Sequence, residues 1–206
     1  MKMNKIYLIR HGQTDWNLEG RTQGIQDSNL TEKGIEDTKL LAKRLREEEI
    51  HVIYSSTLNR AKRTAKIISE ELHIPVKYND NLVELNYGSW EGLTIEEIRN
   101  KYPEQLDNWF TRPHLTIFPD GEDLAKAQER VVTAFNNILN ENKGKNILIV
   151  SHSTMIRLLL LNILDMNLSS YNRLKQNNCA INVIGIRRNE PVLLQYNDTC
   201  YMHKGE

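Results

Sequence analysis

Residues 8–14, with the sequence LIRHGQT, join an apolar segment to a cation, an imidazole and a glycine. The apolar run at residues 6–9 is short and partly β-branched or aromatic, which predicts a buried β-strand. Arg10 and His11 follow at once, and both are costly to remove from water without a partner. Gly12 allows a sharp turn or a close approach of the backbone to a ligand. An anionic ligand at the carboxyl end of a central strand explains this arrangement, and a strand end that merely reaches water is the alternative.

The composition is that of one globular domain. The chain has 206 residues, 39% of them hydrophobic and 26% charged, which predicts a single domain over residues 1–206 with a substantial core. The formal net charge is +0 and the isoelectric point is about 7.0. Without a basic excess we expect neither a nucleic-acid partner nor a membrane partner. Specificity for an anion must therefore come from a local cluster of cations.

Neither targeting segments nor cysteine patterns point away from the cytoplasm. The apolar run at residues 6–9 is too short for a signal peptide, and the apolar stretch at residues 155–164 is interrupted by Arg157. Cys179 and Cys200 have no metal-type or redox-type spacing. We expect inert, reduced thiols in a cytoplasmic protein, with a disulfide as the less favoured alternative.

Periodicity predicts alternating strands and helices. Strands are expected at residues 6–9, 52–54, 75–78 and 147–150, and a final hairpin at residues 179–186 and 191–195, turning around residues 188–190. Longer helices are expected over residues 31–48, 58–72, 122–140 and 155–164. Thr94 is expected to cap a short helix that Pro103 ends, residues 15–28 to form a loop, and residues 103–121 to form a rim or lid. This order predicts a three-layer α/β/α sandwich with a mostly parallel central sheet and an antiparallel edge.

Three of the predicted strands end in polar side chains. The first ends in Arg10 and His11, the second leads through two serines to Arg60, and the fourth ends in Ser151 and His152. Carboxyl ends of parallel strands share one edge of a sheet, so we expect two imidazoles and two guanidiniums to meet there. Such a cluster repels itself unless an anion compensates it, and a tetrahedral phosphate suits arginine donors best.

Arg60 adds a second argument for an anion. It lies in the first turn of a predicted helix, where a cation is unfavourable unless an anion is shared between the helix amides and the guanidinium. A solvent-facing Arg60 is the alternative. Zinc is disfavoured because the arginines would repel it and the histidines lack a metal-ligand spacing. The sequence contains neither of the common glycine-rich nucleotide-binding motifs, GxxxxGK[ST] and GxGxxG.

Five motifs together resemble the histidine phosphatase superfamily, in its phosphoglycerate mutase-like branch. They occur in the family's order over nearly the whole chain: IRHGQT at residues 9–14, LTEKG at 30–34, SSTLNRA at 55–61, ELNYGSWEG at 84–92 and VSH at 150–152. The fourth motif, around residues 87–90, resembles the phosphatase members more than the mutases, including broad-specificity and α-ribazole phosphatases.

The resemblance implies a role for each catalytic residue. His11 would attack phosphorus and form a phosphohistidine, while Arg10, Arg60 and His152 would bind the non-bridging oxygens. By the motif match, Glu84 corresponds to the family's general acid. A phosphate dianion beside it would favour the protonated carboxyl. By the same match Glu91 is structural.

The resemblance also implies a substrate-binding set and leaves two departures. Asn17, Gln23, Gly24 and Ser153 would contact the phosphate or substrate, and the scheme needs no metal and no organic cofactor. Ser153 stands where members often have glycine, so a close backbone approach is retained with a hydroxyl added. Asp123 replaces a serine of the family pattern, which puts any substrate contact by that side chain in doubt.

The expected function is a metal-independent phosphatase for small phosphorylated metabolites. A phosphoglycerate mutase is the first alternative, but it needs further cations over the site, and residues 81–121 hold three basic and seven acidic residues. A non-catalytic phosphate-binding module is the second, and it would be expected to lack His11 or Glu84. A homodimer through the outer hairpin is compatible with the sequence, although nothing requires it.

Overall fold

A six-stranded mixed sheet forms the middle layer of the protein. We describe residues 3–188 and 190–203 of a computed structural model. The strands are β1 (Asn4–Arg10), β2 (Val52–Ser55), β3 (Val76–Tyr78), β4 (Ile147–Ser151), β5 (Ile181–Arg187) and β6 (Glu190–Asp198). Their order across the sheet is β3-β2-β4-β1-β5-β6. The first four of these pair in parallel, β5 pairs antiparallel with β1, and β6 pairs antiparallel with β5, which gives the predicted mostly parallel sheet with an antiparallel edge.

Helices cover both faces of this sheet. They are α1 (Asp15–Glu19), α2 (Glu32–Leu45), α3 (Asn59–Leu72), α4 (Ile95–Lys101), α5 (Pro103–Thr111), α6 (Leu124–Glu141) and α7 (Ser153–Ile163). Alternate residues of β1 point to opposite faces, so Tyr7 and Ile9 pack with α2 and α3, whereas Ile6 and Leu8 pack with α6 and α7. Both faces of the strand are buried, and the predicted three-layer sandwich is confirmed.

Local sequence signals set several helix ends. Thr31 is the N-cap of α2, and its hydroxyl accepts a hydrogen bond from the Gly34 amide. Thr94 caps α4 with a capping box completed by Glu97. Pro103 separates the two helices as predicted, but it also begins α5, because proline fits the first turn of a helix.

Two segments contain helices that the sequence analysis did not predict. Residues 15–28 contain α1, a five-residue helix capped by Thr14 that has no buried residue and therefore no apolar periodicity to reveal it. Residues 103–121 contain α5 and a 3₁₀ turn at Pro113–Leu115. Of the predicted turn at residues 188–190, Asn189 lies outside the described residues.

The structure bears on the expectations for the cysteines and for membrane-spanning segments. Both cysteines are free thiols, and burial raises the pKa of Cys179 to about 12. In the part of the chain described here, no helix combines the length and apolar character that crossing a membrane requires.

Candidate active site

The carboxyl ends of β1, β2 and β4 meet at one edge of the sheet and carry the predicted site. Hydrogen bonds from the His11 amide to Ser151 (3.1 Å) and from the Ser56 amide to Val150 (2.9 Å) continue the strand pairing beyond the strand ends. A cleft of about 240 Å³ opens there. Its lining includes all the predicted site residues except His152, which is fully buried beside it: Arg10, His11, Asn17, Gln23, Gly24, Arg60, Glu84 and Ser153.

The His11 ring is held in one tautomer. Its Nδ1 lies 2.8 Å from the Gly12 carbonyl oxygen, which can only accept a hydrogen bond. Nδ1 therefore carries the proton, and in the neutral ring Nε2 has the free lone pair. A neutral imidazole with a free Nε2 at the cleft is suited to nucleophilic attack.

Burial keeps both histidines neutral. Burial, followed by the charges of Arg60 and Arg10, holds the pKa of His11 well below its usual value. The pKa of His152 is also well below its usual value, mainly through burial and then through Arg60. At neutral pH both rings are uncharged, and His11 is available as a nucleophile.

His152 packs against His11, with ring centres 5.2 Å apart. Its Nε2 lies 2.7 Å from the Ser56 hydroxyl oxygen, and that oxygen also accepts a hydrogen bond from the Leu58 amide. The hydroxyl proton is thus free to go to Nε2, which leaves the proton of the neutral ring on Nδ1. Ser56 is in this way a positioning residue for His152.

Arg60 is buried and fixed by a loop. Its Nη1 donates to the Gln26 carbonyl (2.6 Å) and to Asp27 (2.9 Å), and its Nη2 donates to the Gly24 carbonyl (2.6 Å). The Asp27 carboxylate also accepts from the Asn59 and Arg60 amides. The anion at the N-terminus of α3 is therefore Asp27, which corrects the expectation that a ligand is shared between these amides and the guanidinium.

Glu91 holds that loop in place. Its carboxylate accepts hydrogen bonds from the amides of Ile25 (2.9 Å), Gln26 (3.2 Å) and Tyr87 (3.1 Å). Gly24 has a φ of +58°, and a Cβ there would lie 1.8 Å from the Glu91 carboxylate. Only glycine fits, so Gly24 shapes the loop and Glu91 has the structural role expected of it.

Three buried donors at the cleft suit an oxyanion. Arg10 donates from Nη1 to the Gln176 carbonyl at 2.6 Å. Among the described residues, Nε of Arg10, Nε of Arg60 and Nδ1 of His152 are buried without a hydrogen-bond partner. The N-terminus of α7 begins at Ser153 beside them and also favours negative charge. This donor set matches the oxygens of a phosphoryl group.

Glu84 lines the cleft and belongs to an irregular segment of the chain. Its carboxylate accepts from the Leu85 amide (2.9 Å) and the Thr154 amide (3.3 Å). Arg130 supports the segment from behind, since it donates to the carbonyls of residues 81, 83 and 84 and forms a two-point ion pair with Glu122. Sequence patterns do not indicate this support, because Arg130 lies in the distant helix α6 and Glu122 lies just before it.

The remaining predicted residues have distinct surroundings. The side-chain amide oxygen of Asn17 accepts hydrogen bonds from the Thr14 backbone amide and the Asn178 side-chain amide, whereas Gln23 donates to the Thr14 hydroxyl at 2.8 Å. Both therefore line the cleft from fixed positions. Asp123 caps α6 by accepting from the Lys126 amide, which accounts for this departure from the family pattern without a substrate contact.

Gly12 serves a different purpose from the predicted approach to a ligand. A Cβ there would lie 2.8 Å from both the Gly34 carbonyl and the Thr38 hydroxyl of α2. The backbone at Gly12 therefore packs closely against the helix α2 and not against a ligand.

Sequence reasoning missed a wall of the cleft. The Thr154 hydroxyl lies 2.7 Å from the Tyr87 hydroxyl and 2.9 Å from the Tyr171 hydroxyl. Trp109 of α5 packs on Tyr171 with ring centres 4.9 Å apart, and Arg157 completes this side. Of the expected rim segment, Trp109 lines the cleft, whereas Arg112 and His114 do not.

Among residues 3–188 and 190–203, histidine, cysteine, aspartate and glutamate side chains form no group of three or more that could hold a metal ion. The chemistry of the cleft is that of donors and cations, which bind an anion.

The two neutral histidines make stability depend on pH. Each has a folded-state pKa below its unfolded value of about 6.5, so the unfolded chain binds more protons as pH falls. We expect the free energy of unfolding to fall below pH 6.5, by up to about 1.4 kcal/mol per pH unit for each histidine. Urea titrations between pH 7.5 and 5.5 measure it, and His11→Gln should make the dependence shallower. An unfolding midpoint that is constant over this interval would contradict the assignment.

Comparisons with known proteins identify the family and several relatives of this chain. The Histidine phosphatase superfamily (branch 1) matches residues 6–199. Phosphoserine phosphatase 1 of Hydrogenobacter thermophilus is 34% identical over 200 residues, covering 97% of this chain and 95% of the relative. Metal-independent phosphoserine phosphatase of Arabidopsis thaliana is 32% identical over 204 residues (98% and 84%). Probable phosphoglycerate mutase GpmB of Escherichia coli is 35% identical over 185 residues (87% and 83%).

Solved structures show the same fold and establish the family. Bacillus stearothermophilus YhfR superposes with a TM-score of 0.93 at 34% identity, covering 97% of this chain and 99% of that one. A mutant phosphoserine phosphatase of Entamoeba histolytica in complex with phosphoserine gives 0.87 at 30% identity (97% and 100%). With the match to residues 6–199, these likenesses show that the chain belongs to branch 1 of the histidine phosphatase superfamily and is a phosphoric monoester hydrolase.

Proposed function

We propose that His11 and Glu84 are the nucleophile and the general acid of a metal-independent phosphatase for small phosphomonoesters. The observation that carries the proposal is the hydrogen bond from His11 Nδ1 to the Gly12 carbonyl, which leaves Nε2 free at the cleft. Similarity to phosphoserine phosphatases, one of them named as metal-independent, supports the reaction class.

The first half of the reaction transfers the phosphoryl group to the enzyme. Nε2 of His11 forms a bond to phosphorus while the bond from phosphorus to the ester oxygen breaks. Protonated Glu84 gives its proton to that oxygen, so the alcohol leaves uncharged. Arg10, Arg60 and His152 hold the equatorial oxygens, where negative charge must be stabilised during transfer.

The second half returns the enzyme to its starting state. Glu84, now a carboxylate, takes a proton from water as that water attacks the phosphohistidine. The bond between Nε2 and phosphorus breaks, inorganic phosphate leaves, and Glu84 is again protonated. One carboxyl group therefore serves both steps in opposite directions.

A phosphoglycerate mutase is the second candidate because of Arg157. This residue of α7 adds a cation to the cleft, and it lies outside residues 81–121, whose few basic residues argued against a mutase. A mutase would hold a second anionic group there and return the phosphoryl group to the organic substrate instead of water.

Phosphate release from a panel of phosphomonoesters distinguishes these reactions. We expect a chelator to leave the rate of phosphate release unchanged. The conversion of 3-phosphoglycerate to 2-phosphoglycerate is measured in parallel. Interconversion without phosphate release would replace the phosphatase by a mutase, and loss of activity on chelation would refute the metal-free mechanism. Phosphate release should be lost in His11→Gln. His114→Gln is the matched control and should keep it, because His114 is exposed and outside the cleft lining.

A further inference from the structure

Arg157 lies in the cleft but outside the phosphate-binding cluster. It is on α7, four residues after Ser153 and three after Thr154, so all three share one face of the helix. One turn of helix, about 5.4 Å, separates it from the N-terminus that faces the phosphate. Side chains on a helix tilt toward its N-terminus, so the guanidinium extends back toward the reacting group.

The Arg157 guanidinium is fixed while its charge has no carboxylate partner. Nη2 donates to the Tyr171 carbonyl at 2.5 Å, and the central guanidinium carbon lies 3.5 Å from the centre of the Tyr171 ring. Its Nε is buried and, within the described part of the chain, has no hydrogen-bond partner. Among the same residues Arg157 makes no ion pair. Stacking orients the group and leaves donors available.

The other cations that line the cleft are either paired with carboxylates or assigned to the phosphoryl group. Arg21 is paired with Glu19 (2.7 Å) and Glu97 (3.3 Å), and Arg60 is paired with Asp27. Arg10 lies at the strand end beside His11, where the phosphoryl group binds under the proposed mechanism. After a phosphate dianion has bound, Arg157 is the lining cation whose charge neither the protein nor the phosphate neutralises.

We propose that Arg157 binds a carboxylate of the substrate and so selects phosphomonoesters whose organic group carries a carboxylate a few bonds from the ester oxygen. The inference rests on the proposed function, because it needs the phosphoryl group at His11. A planar guanidinium with free donors recognises a carboxylate with charge-assisted hydrogen bonds. Tyr171 and Trp109 close the cleft on this side, which favours a short organic group.

A purely structural Arg157 makes a different prediction. If it only held the turn at Leu168–Arg173 through the Tyr171 carbonyl, its loss would affect every phosphomonoester to the same degree. A carboxylate-binding Arg157 affects only the preference between esters with and without that group. The ratio of two kcat/KM values therefore separates the two roles.

Phosphoserine and phosphoethanolamine are the probes, since they differ only in the carboxylate. For the wild-type protein we expect kcat/KM to be about 10-fold to 100-fold higher for phosphoserine, as for a hydrogen bond to a charged group. Arg157→Met should bring this ratio close to one, and Arg157→Lys should keep part of it. Arg173→Met removes an exposed cation outside the cleft lining and should leave the ratio unchanged.

The outcomes separate this inference from the function on which it rests. Equal kcat/KM values for the two esters in the wild-type protein, with release dependent on His11, would overturn the carboxylate site alone. A ratio in Arg157→Met that equals the wild-type ratio would also overturn it. Absence of phosphate release from both esters, or release that persists in His11→Gln, would overturn the proposed function and this inference together.

Discussion

Replacing His11 with glutamine should abolish turnover. Glutamine is a neutral polar side chain without a nucleophilic nitrogen. We expect kcat to fall by about 10⁴-fold or more, equivalent to about 5.4 kcal/mol of transition-state stabilisation, as is found when a nucleophile is removed. Phosphate release under saturating substrate measures this loss.

Trapping the intermediate tests the same residue directly. Rapid quenching with radiolabelled substrate should show an acid-labile phosphoenzyme in the wild-type protein and none in His11→Gln. His114→Gln should retain the phosphoenzyme, because His114 is exposed and does not line the cleft. A phosphoenzyme of wild-type amount in His11→Gln would show that another residue is the nucleophile.

Replacing Glu84 with glutamine should slow the reaction in a way that depends on the leaving group. The amide oxygen can keep one of the two hydrogen bonds from Leu85 and Thr154, since these donate to different carboxylate oxygens, but the amide cannot give a proton to the ester oxygen. We expect a fall in kcat of about 10²-fold to 10⁴-fold for alkyl phosphates, which is the usual contribution of a general acid. Nitrophenyl phosphate, whose leaving group needs no proton, should be cleaved with a much smaller loss in the first step.

A burst experiment separates the two roles of Glu84. Glutamine also cannot activate water, so the phosphoenzyme should accumulate and nitrophenol should appear in a burst followed by slow turnover. An equal loss for alkyl and nitrophenyl phosphates, with no burst, would contradict the assignment of Glu84. Glu91→Gln should show neither the burst nor the dependence on the leaving group, because Glu91 accepts hydrogen bonds from the amides of Ile25, Gln26 and Tyr87 and has no role in proton transfer.

The sequence predicted the sheet and the catalytic edge because both depend on local patterns. Residues 6–9 and 147–150 are apolar runs buried on both faces, and each is followed at once by polar residues. Parallel pairing then brings His11 and His152 together without further information. Family motifs added Glu84, which lies in an irregular segment and has no periodicity to identify it.

Features that depend on distant contacts could not be predicted. Arg157 interrupts an otherwise apolar helix, and only the three-dimensional packing shows that it stacks on Tyr171. Asp27 and Arg60 are 33 residues apart and meet through a loop whose path depends on Glu91. The helix α1 is too short and too exposed to produce a periodic signal.

The origin of the wall has a consequence for how this protein can evolve. The groups assigned to phosphoryl transfer extend from strand ends, from the first turn of α3 and from the irregular segment around Glu84, whereas Trp109 and Tyr171 come from α5 and from the turn at Leu168–Arg173. Substitutions in these outer segments can reshape the pocket for the organic group while the strand ends stay in place. Substrate preference can therefore diverge between descendants of one ancestor while the reaction itself is inherited unchanged.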